Sequence, residues 1–413
     1  MTTEELTRET ATPSPASRTT NHRERHPLLT SVVGSYSVPE WLGRFNTDFQ
    51  RGRISAELLN EVHETAIKSA LVDQEVAGLD VVSDGEFRRD NDMDYFIERI
   101  DGIELSGKPK EYYFDYYGAT ATGPLPSPEH FAGFGLVDDL EFLKARTTRG
   151  VTISLPGAYS LSRRITNRSK AIDAEIVLAL AALIHTEAVR LTAAGATRIQ
   201  LDEPYLAGHP DQIELAVAAV NIVTADVDTH VALHVCYGNR YARPAWEGHY
   251  DFLFPAVLDA GIDELVLEFG RKGLDDLELF RRFPNSFELG AGVIDVKSHT
   301  VETPEVVADR LYQALKVLPP ERLVVNPDCG LRHLPSAVAR AKLESMVAGA
   351  AIVRADVLGE RGHSRGSGRD ALAASSLTSA ETSETPADGQ AVGDASTNDA
   401  GRATDEASAS TPS

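Results

Sequence analysis

Gly195-Ala196-Thr197-Arg198-Ile199-Gln200-Leu201-Asp202-Glu203-Pro204 reads as a helix stop, a short β-rich run and a carboxylate at its far end. The glycine follows an apolar-periodic segment at 171–194, in the position where a left-handed residue closes a helix. Beyond Pro204 a second helical pattern fills 211–225, and a new run, Val231-Ala232-Leu233-His234-Val235, begins. Strand, helix and strand in that order with short connections make a parallel βαβ unit. The unit recurs in both directions. Strand candidates lie at 29–34, 79–83, 151–155, 197–201, 231–235, 264–267, 287–294 and 322–325. Most read as apolar runs, as strands covered on both faces do. Helical patterns at 55–77, 304–318 and 335–350 complete the alternation. Eight such units predict an α/β fold, a (β/α)8 TIM barrel. A doubly wound sheet is the competing architecture. Its phosphate-binding fingerprint is missing, because Gly290-Ala291-Gly292 runs on into Val293-Ile294-Asp295 without a third glycine.

The barrel is expected over 28–355, between disordered extensions at 1–27 and 356–413. The tail is low in large apolar residues and carries eight acidic residues against one arginine from Asp370 onward. Such a segment buries too little surface to offset its ordering entropy. An insertion at about 94–148 contains Glu111-Tyr112-Tyr113-Phe114-Asp115-Tyr116-Tyr117, too aromatic for an idle linker; a lid, an oligomer contact and a packed excursion are the readings open to it. The net charge of −22 argues against nucleic acid as a partner, since such binding needs a basic footprint. No unbroken apolar run of about 18 residues suggests a membrane span. The N-terminus has no apolar secretory region, so a cytoplasmic protein is expected.

In a barrel of this kind, chemistry sits at the C-terminal ends of the strands. Here those ends deliver Gly34-Ser35, Asp84-Gly85-Glu86, Asp202, His234 with Cys236, Glu268, Asp295 with Lys297, and Asp328-Cys329. The chain has only two cysteines, and both are in this set. His234 and Cys236 are two apart on a strand, so their side chains share a face. Cys329 comes from a distant strand end. One nitrogen and two thiolates suit Zn²⁺, and three protein ligands with an open fourth position describe a catalytic site. Two ordinary buried cysteines are the alternative; a disulfide would need an oxidising compartment. Helix capping accounts for some of Ser35, Asp84 and Asp328. It does not account for a His, two Cys and a Glu on the fifth, sixth and eighth strands.

Taken together, Val33-Gly34-Ser35, Asp84-Gly85-Glu86 through Asn91-Asp92-Met93, Ile199 through Pro204, His234-Val235-Cys236-Tyr237, Glu268 and Val325 through Leu331 resemble the catalytic barrel of cobalamin-independent methionine synthase. The resemblance spans residues 28 to about 350. It implies zinc held by His234, Cys236, Glu268 and Cys329, and a homocysteine-like amino acid held by Ser35, Glu86 and Asp202. The two carboxylates suit the ammonium, and backbone N–H groups near Ser35 suit the carboxylate. A zinc-bound thiol is deprotonated, and the thiolate is the nucleophile. Glu268, the only oxygen donor, is the ligand most easily displaced. The reaction is then methyl transfer to the thiol, with Asp202 and Lys297 as catalytic candidates. The donor is a methyltetrahydrofolate or a methyl-corrinoid, the latter bringing in a corrinoid protein as partner.

Three departures stand against the family pattern. There is no room for the N-terminal half of the full-length enzymes. Ser160-Leu161-Ser162-Arg163-Arg164 stands where the family has a tryptophan, and Lys297 stands where it has a histidine. Lys297 is expected either to donate a proton, its pKa lowered toward neutrality, or to pair with Asp295; His299 is the next candidate. The alternative functions are a thiol alkyltransferase resembling the epoxyalkane:coenzyme M transferases, which share the barrel and metal motif, and a non-catalytic zinc-binding barrel.

Overall fold

The computed structural model describes residues 27–106 and 115–366. Eight parallel strands form one sheet: β1 (Leu29–Thr30), β2 (Val81–Val82), β3 (Gly150–Pro156), β4 (Arg198–Asp202), β5 (His230–Val235), β6 (Glu264–Glu268), β7 (Glu288–Ile294) and β8 (Leu323–Pro327). Each matches one strand candidate. Their order is β1-β8-β7-β6-β5-β4-β3-β2, so consecutive strands are neighbours around a near-closed barrel. Helices cover the outside. In Ala56–Ala77, the Ser55 hydroxyl caps the first turn and Gly78, at φ +90°, closes the last. That positive φ is the reason for glycine before β2.

Among the described residues no ladder joins β1 to β2. Isolated backbone and side-chain bonds close the seam. The Asp80 amide donates to the Thr30 carbonyl (3.2 Å), and Asp80 Oδ2 accepts from the Thr30 amide and hydroxyl at 2.9 Å each. Arg354, from the helix Ser336–Gly366, donates to Asp80 (3.1 Å) and to the carbonyls of Pro27 and Leu28. Arg354→Ala is therefore expected to lower unfolding stability by roughly 1–3 kcal/mol, measured by denaturant titration. An unchanged midpoint would show that other donors satisfy these groups.

The main apolar core lies between strands and helices. Ile199, Leu201, Val231, Leu233, Val235, Leu265 and Leu267 belong to it, and they alternate along β4 to β6 with a different set. Arg198, Gln200 and Asp202, then His230, Ala232 and His234, then Glu264, Val266 and Glu268 share the opposite face. The runs are thus alternating rather than uniformly apolar, and the barrel interior is largely polar. A separate three-residue cluster, Val33, Ala232 and Val266, is an apolar patch within that interior. Gly290 and Gly292 are needed for packing, not phosphate. A Cβ on Gly290 would meet Glu264 Oε1 at 2.5 Å, and one on Gly292 would meet Asp328 Oδ1 at 2.6 Å.

The insertion supplies two strands of a small second sheet, Ile103–Leu105 and Ala119–Ala121, and Ile165–Asn167 completes it. Short, partly exposed strands without clear alternation gave no sequence signal for this sheet. Most of the aromatic stretch 111–117 and the extensions at 1–26 and 367–413 lie outside the described residues. The last helix runs to Gly366, past the expected barrel boundary near 355. One described helix, Asp173–Ala193, is long and apolar enough to cross a membrane by length and composition. Its Ile176, Leu180, Leu183, Ile184 and Leu191 are buried in the main core.

Candidate active site

His234, Cys236 and Cys329 come together at the C-terminal end of β5 and β8, with one ligand atom from each inside 4.8 Å of the others. The two sulfurs are 3.7 Å apart. Sulfurs each about 2.3 Å from one tetrahedral ion stand about 3.8 Å apart. The spacing suits a shared ion and is too long for a disulfide. His234 Nδ1 is 3.3 Å from the Val266 carbonyl, where it can only donate, and its Nε2 is buried without a hydrogen-bond partner. A carbonyl that fixes the tautomer and an orphaned opposite nitrogen are the usual setting of a metal-binding histidine. The hydrogen bond between the sulfurs pushes the Cys236 thiol up and, with His234, holds Cys329 well below the ordinary thiol value. The donor set fits zinc.

Glu268 stands outside this trio. Its Oε1 accepts from the Tyr237 amide (3.2 Å), and its Oε2 accepts from Lys297 Nζ at 2.7 Å. The Lys297 and Glu268 side chains are 4% and 0% exposed. Lys297 thus pairs with Glu268, not with Asp295, whose Oδ1 takes the Lys297 backbone N–H instead (2.8 Å). Nor does its pKa fall. Burial opposes the ammonium, but Glu268, Cys329 and Cys236 outweigh it and raise Lys297 above its usual value. The loop that presents it is pinned from behind. Glu302 Oε1 accepts the Asp295 amide at 2.8 Å, and the fully buried Lys342 pairs with Glu302 Oε2 at 2.7 Å. Asp328 holds the loop after β6, accepting N–H bonds from Phe269, Gly270 and Arg271. Its role, like that of Asp84, which takes the Glu86 amide at 2.9 Å, is local.

A cleft of about 310 Å³ opens beside the trio. Ser35, Glu86 and Asp202 all line it. The backbone N–H groups of Gly34 and Ser35 have no protein acceptor among the described residues. Gly34 and Glu86 both adopt left-handed backbone, at φ +61° and +59°. A Cβ on Gly34 would lie 2.6 Å from Glu86 Oε1, so glycine permits this close approach. Burial pushes Asp202 up to about 7, and Glu86 also upward. A cationic group entering the cleft would favour the ionised form of both.

Several residues in the cleft wall or behind it were not singled out as site residues. Arg89 and Arg332 approach the two Glu86 oxygens at 3.3 and 3.4 Å. Asp92 accepts from the Tyr116 hydroxyl at 2.6 Å, and Arg164 lies over the Tyr116 ring. Tyr205 and Trp246 form an edge-to-face pair on the cleft wall. Asp92 was at least visible in Asn91-Asp92-Met93. Of the motif pair at the end of β4, only Asp202 faces the cleft. Glu203 caps the short helix after β3, accepting from the Tyr159 and Ser160 amides at 3.1 and 2.8 Å.

A second cluster, His230, Glu264 and Glu288, is buried at the other end of the barrel. Both Glu264 oxygens are taken by Arg198 at 3.0 Å, and His230 Nε2 is 3.1 Å from Oε2. The guanidinium fills the place a metal would need. This cluster is an ion-pair network.

Fold and site together define a barrel enzyme class with a nitrogen and two-sulfur centre beside an acid-lined cleft. A family profile described as the catalytic domain of cobalamin-independent synthase matches residues 28–352. The chain belongs to the cobalamin-independent methionine synthase family and corresponds to its catalytic domain. It is 34% identical over 331 residues to a methionine synthase of Sulfurisphaera tokodaii, covering 80% of this chain and 94% of that protein. A methionine synthase of Thermococcus kodakarensis is 33% identical over 335 residues, covering 81% and 95%. The solved structure of a B12-independent methionine synthase from Shewanella sp. W3-18-1, in complex with selenomethionine, superposes with a TM-score of 0.70 at 28% identity. It covers 81% of this chain and 99% of that one.

Proposed function

We propose that the protein is a zinc-dependent methyltransferase that methylates the thiol of homocysteine and so forms methionine. The observation that carries the reading is the orphaned His234 Nε2 facing two sulfurs 3.7 Å apart, at the edge of a cleft lined by Asp202 and Glu86. Zinc held by His234, Cys236 and Cys329 would keep a bound thiol deprotonated and nucleophilic at neutral pH. The residues of the chain do the rest. Asp202 and Glu86 hold the substrate ammonium, and the Gly34 and Ser35 amides hold its carboxylate. Lys297 holds Glu268 in place at 2.7 Å; as a fourth ligand, Glu268 would have to leave Lys297. Tyr205 and Trp246 wall the cleft against water. The methyl donor is of methyltetrahydrofolate type or a methyl-corrinoid delivered by a corrinoid protein, and the enzyme works in the cytoplasm on small molecules.

The test is an assay of the purified zinc form against a panel of thiols and methyl donors. Methyl transfer to homocysteine is the expected result. Asp202→Asn is expected to raise KM for homocysteine by roughly 10- to 100-fold, the loss of one charge-assisted hydrogen bond, while zinc content stays the same. Turnover with an epoxide alone, or an unaltered homocysteine KM in the variant, would rule out this amino-acid site and leave a thiol alkyltransferase.

A further inference from the structure

We propose that Gln200, oriented by Arg198, is a positioning residue that sets the carboxylate of Asp202 for an amino-acid substrate. The assignment rests on the reading of the cleft as an amino-acid thiol site. Gln200 is fully buried inside the barrel, one inward position below Asp202 on β4. The two ends of its amide have the same shape but opposite hydrogen-bonding roles. Arg198 NH1 lies 3.2 Å from Gln200 Oε1 and can only donate. The oxygen end is therefore fixed toward Arg198, and the NH2 end faces Asp202 Oδ1 at 2.8 Å. The other oxygen of Asp202 has no protein donor among the described residues and is left for the substrate.

Arg198 has no freedom to turn away. Its Nε and NH2 grip the two oxygens of Glu264, and NH1 also reaches the Thr152 hydroxyl at 2.9 Å. Glu264 is backed in turn by His230. Burying such a network costs desolvation, and replacing a buried ion pair by apolar side chains is often neutral for stability. Stability alone does not explain a charged layer that ends on a cleft carboxylate. Orientation does. A fixed guanidinium fixes an amide, and the amide fixes the direction in which Asp202 presents its charge.

The experiment compares wild type, Gln200→Met and Gln200→Glu as zinc-loaded enzymes. KM is measured for homocysteine, and an inhibition constant is measured for its des-amino analogue, which keeps the thiol and carboxylate. Gln200→Glu retains an acceptor for Arg198 but turns an oxygen toward Asp202, so it tests the donor separately from the packing. In both variants KM for homocysteine is expected to rise about 10-fold or more, with the analogue's constant and the zinc content unchanged. An unchanged homocysteine KM, or an equal rise for both ligands, would overturn the assignment while leaving the methyltransferase reading in place. A wild-type enzyme that does not methylate homocysteine overturns both.

Discussion

Cys236→Ser and Cys329→Ser are each expected to lose bound zinc and turnover together while the barrel stays folded. The two sulfurs, 3.7 Å apart, are two of the three donors the site brings together. A hydroxyl is a hard, weakly acidic donor that replaces a thiolate poorly on zinc. Loss of either should drop activity to background, the largest effect anticipated for any single substitution here. The fold does not depend on them. Cys236 lies at the rim, beyond the last residue of β5, and Cys329 follows β8. Elemental analysis beside a thermal melt decides the matter: full zinc occupancy in both variants would show that the metal is held elsewhere.

Lys297→Met is expected to cut turnover by roughly 100-fold with zinc content unchanged. The variant removes the closer of the two cations beside the buried Glu268 carboxylate and leaves only Arg271, 3.7 Å from Oε1. Glu268, freed from Lys297, is then available to compete with the substrate thiol for the metal. Because Glu268 and the two neighbouring cysteines raise the Lys297 pKa, the ammonium stays charged until the pH passes above its ordinary range. No limb of the wild-type kcat profile between about pH 6 and 9 should therefore belong to it, and the variant should keep the shape of that profile. Disappearance of a neutral-range limb in the variant would show instead that Lys297 gives up its proton there. Near-normal turnover would make it a structural partner only, with water or His299 left as proton source.

Much of this arrangement could be read from the chain. The eight strand ends were legible because each apolar run stops at a polar residue, and His234 and Glu268 stand out as types a core seldom holds, with the chain's two cysteines at matching strand ends. The partner of Lys297 was not legible. Asp295 is closer in sequence, but its carboxylate is spent on the Lys297 backbone N–H, and the path of the loop is set by Glu302, further along the same connection, and by Lys342 on the last helix. The polar interior was hidden for a different reason. Runs such as Arg198-Ile199-Gln200-Leu201 alternate, but grouping them with apolar runs covered on both faces passes over the period of two that separates core from interior. The same period in 230–234 and 264–268 was the available signal. Arg89 and Arg332 lie far apart in sequence, and only the fold brings both to Glu86.

The strands of this barrel differ in how firmly they are held, and the difference falls along a functional line. His234, Cys236 and Glu268 sit on or beside β5 and β6, which are tied to each other and to their neighbours by continuous ladders. Ser35 and Glu86 follow β1 and β2, two residues each, across the seam that has no ladder and is closed by isolated backbone and side-chain bonds. Compliance is thus concentrated in one wall. Local opening favours segments with few backbone bonds, so the wall that carries Ser35 and Glu86 yields first. The donor set keeps its spacing while it does: one jaw of the site gives, and the other serves as a fixed anvil.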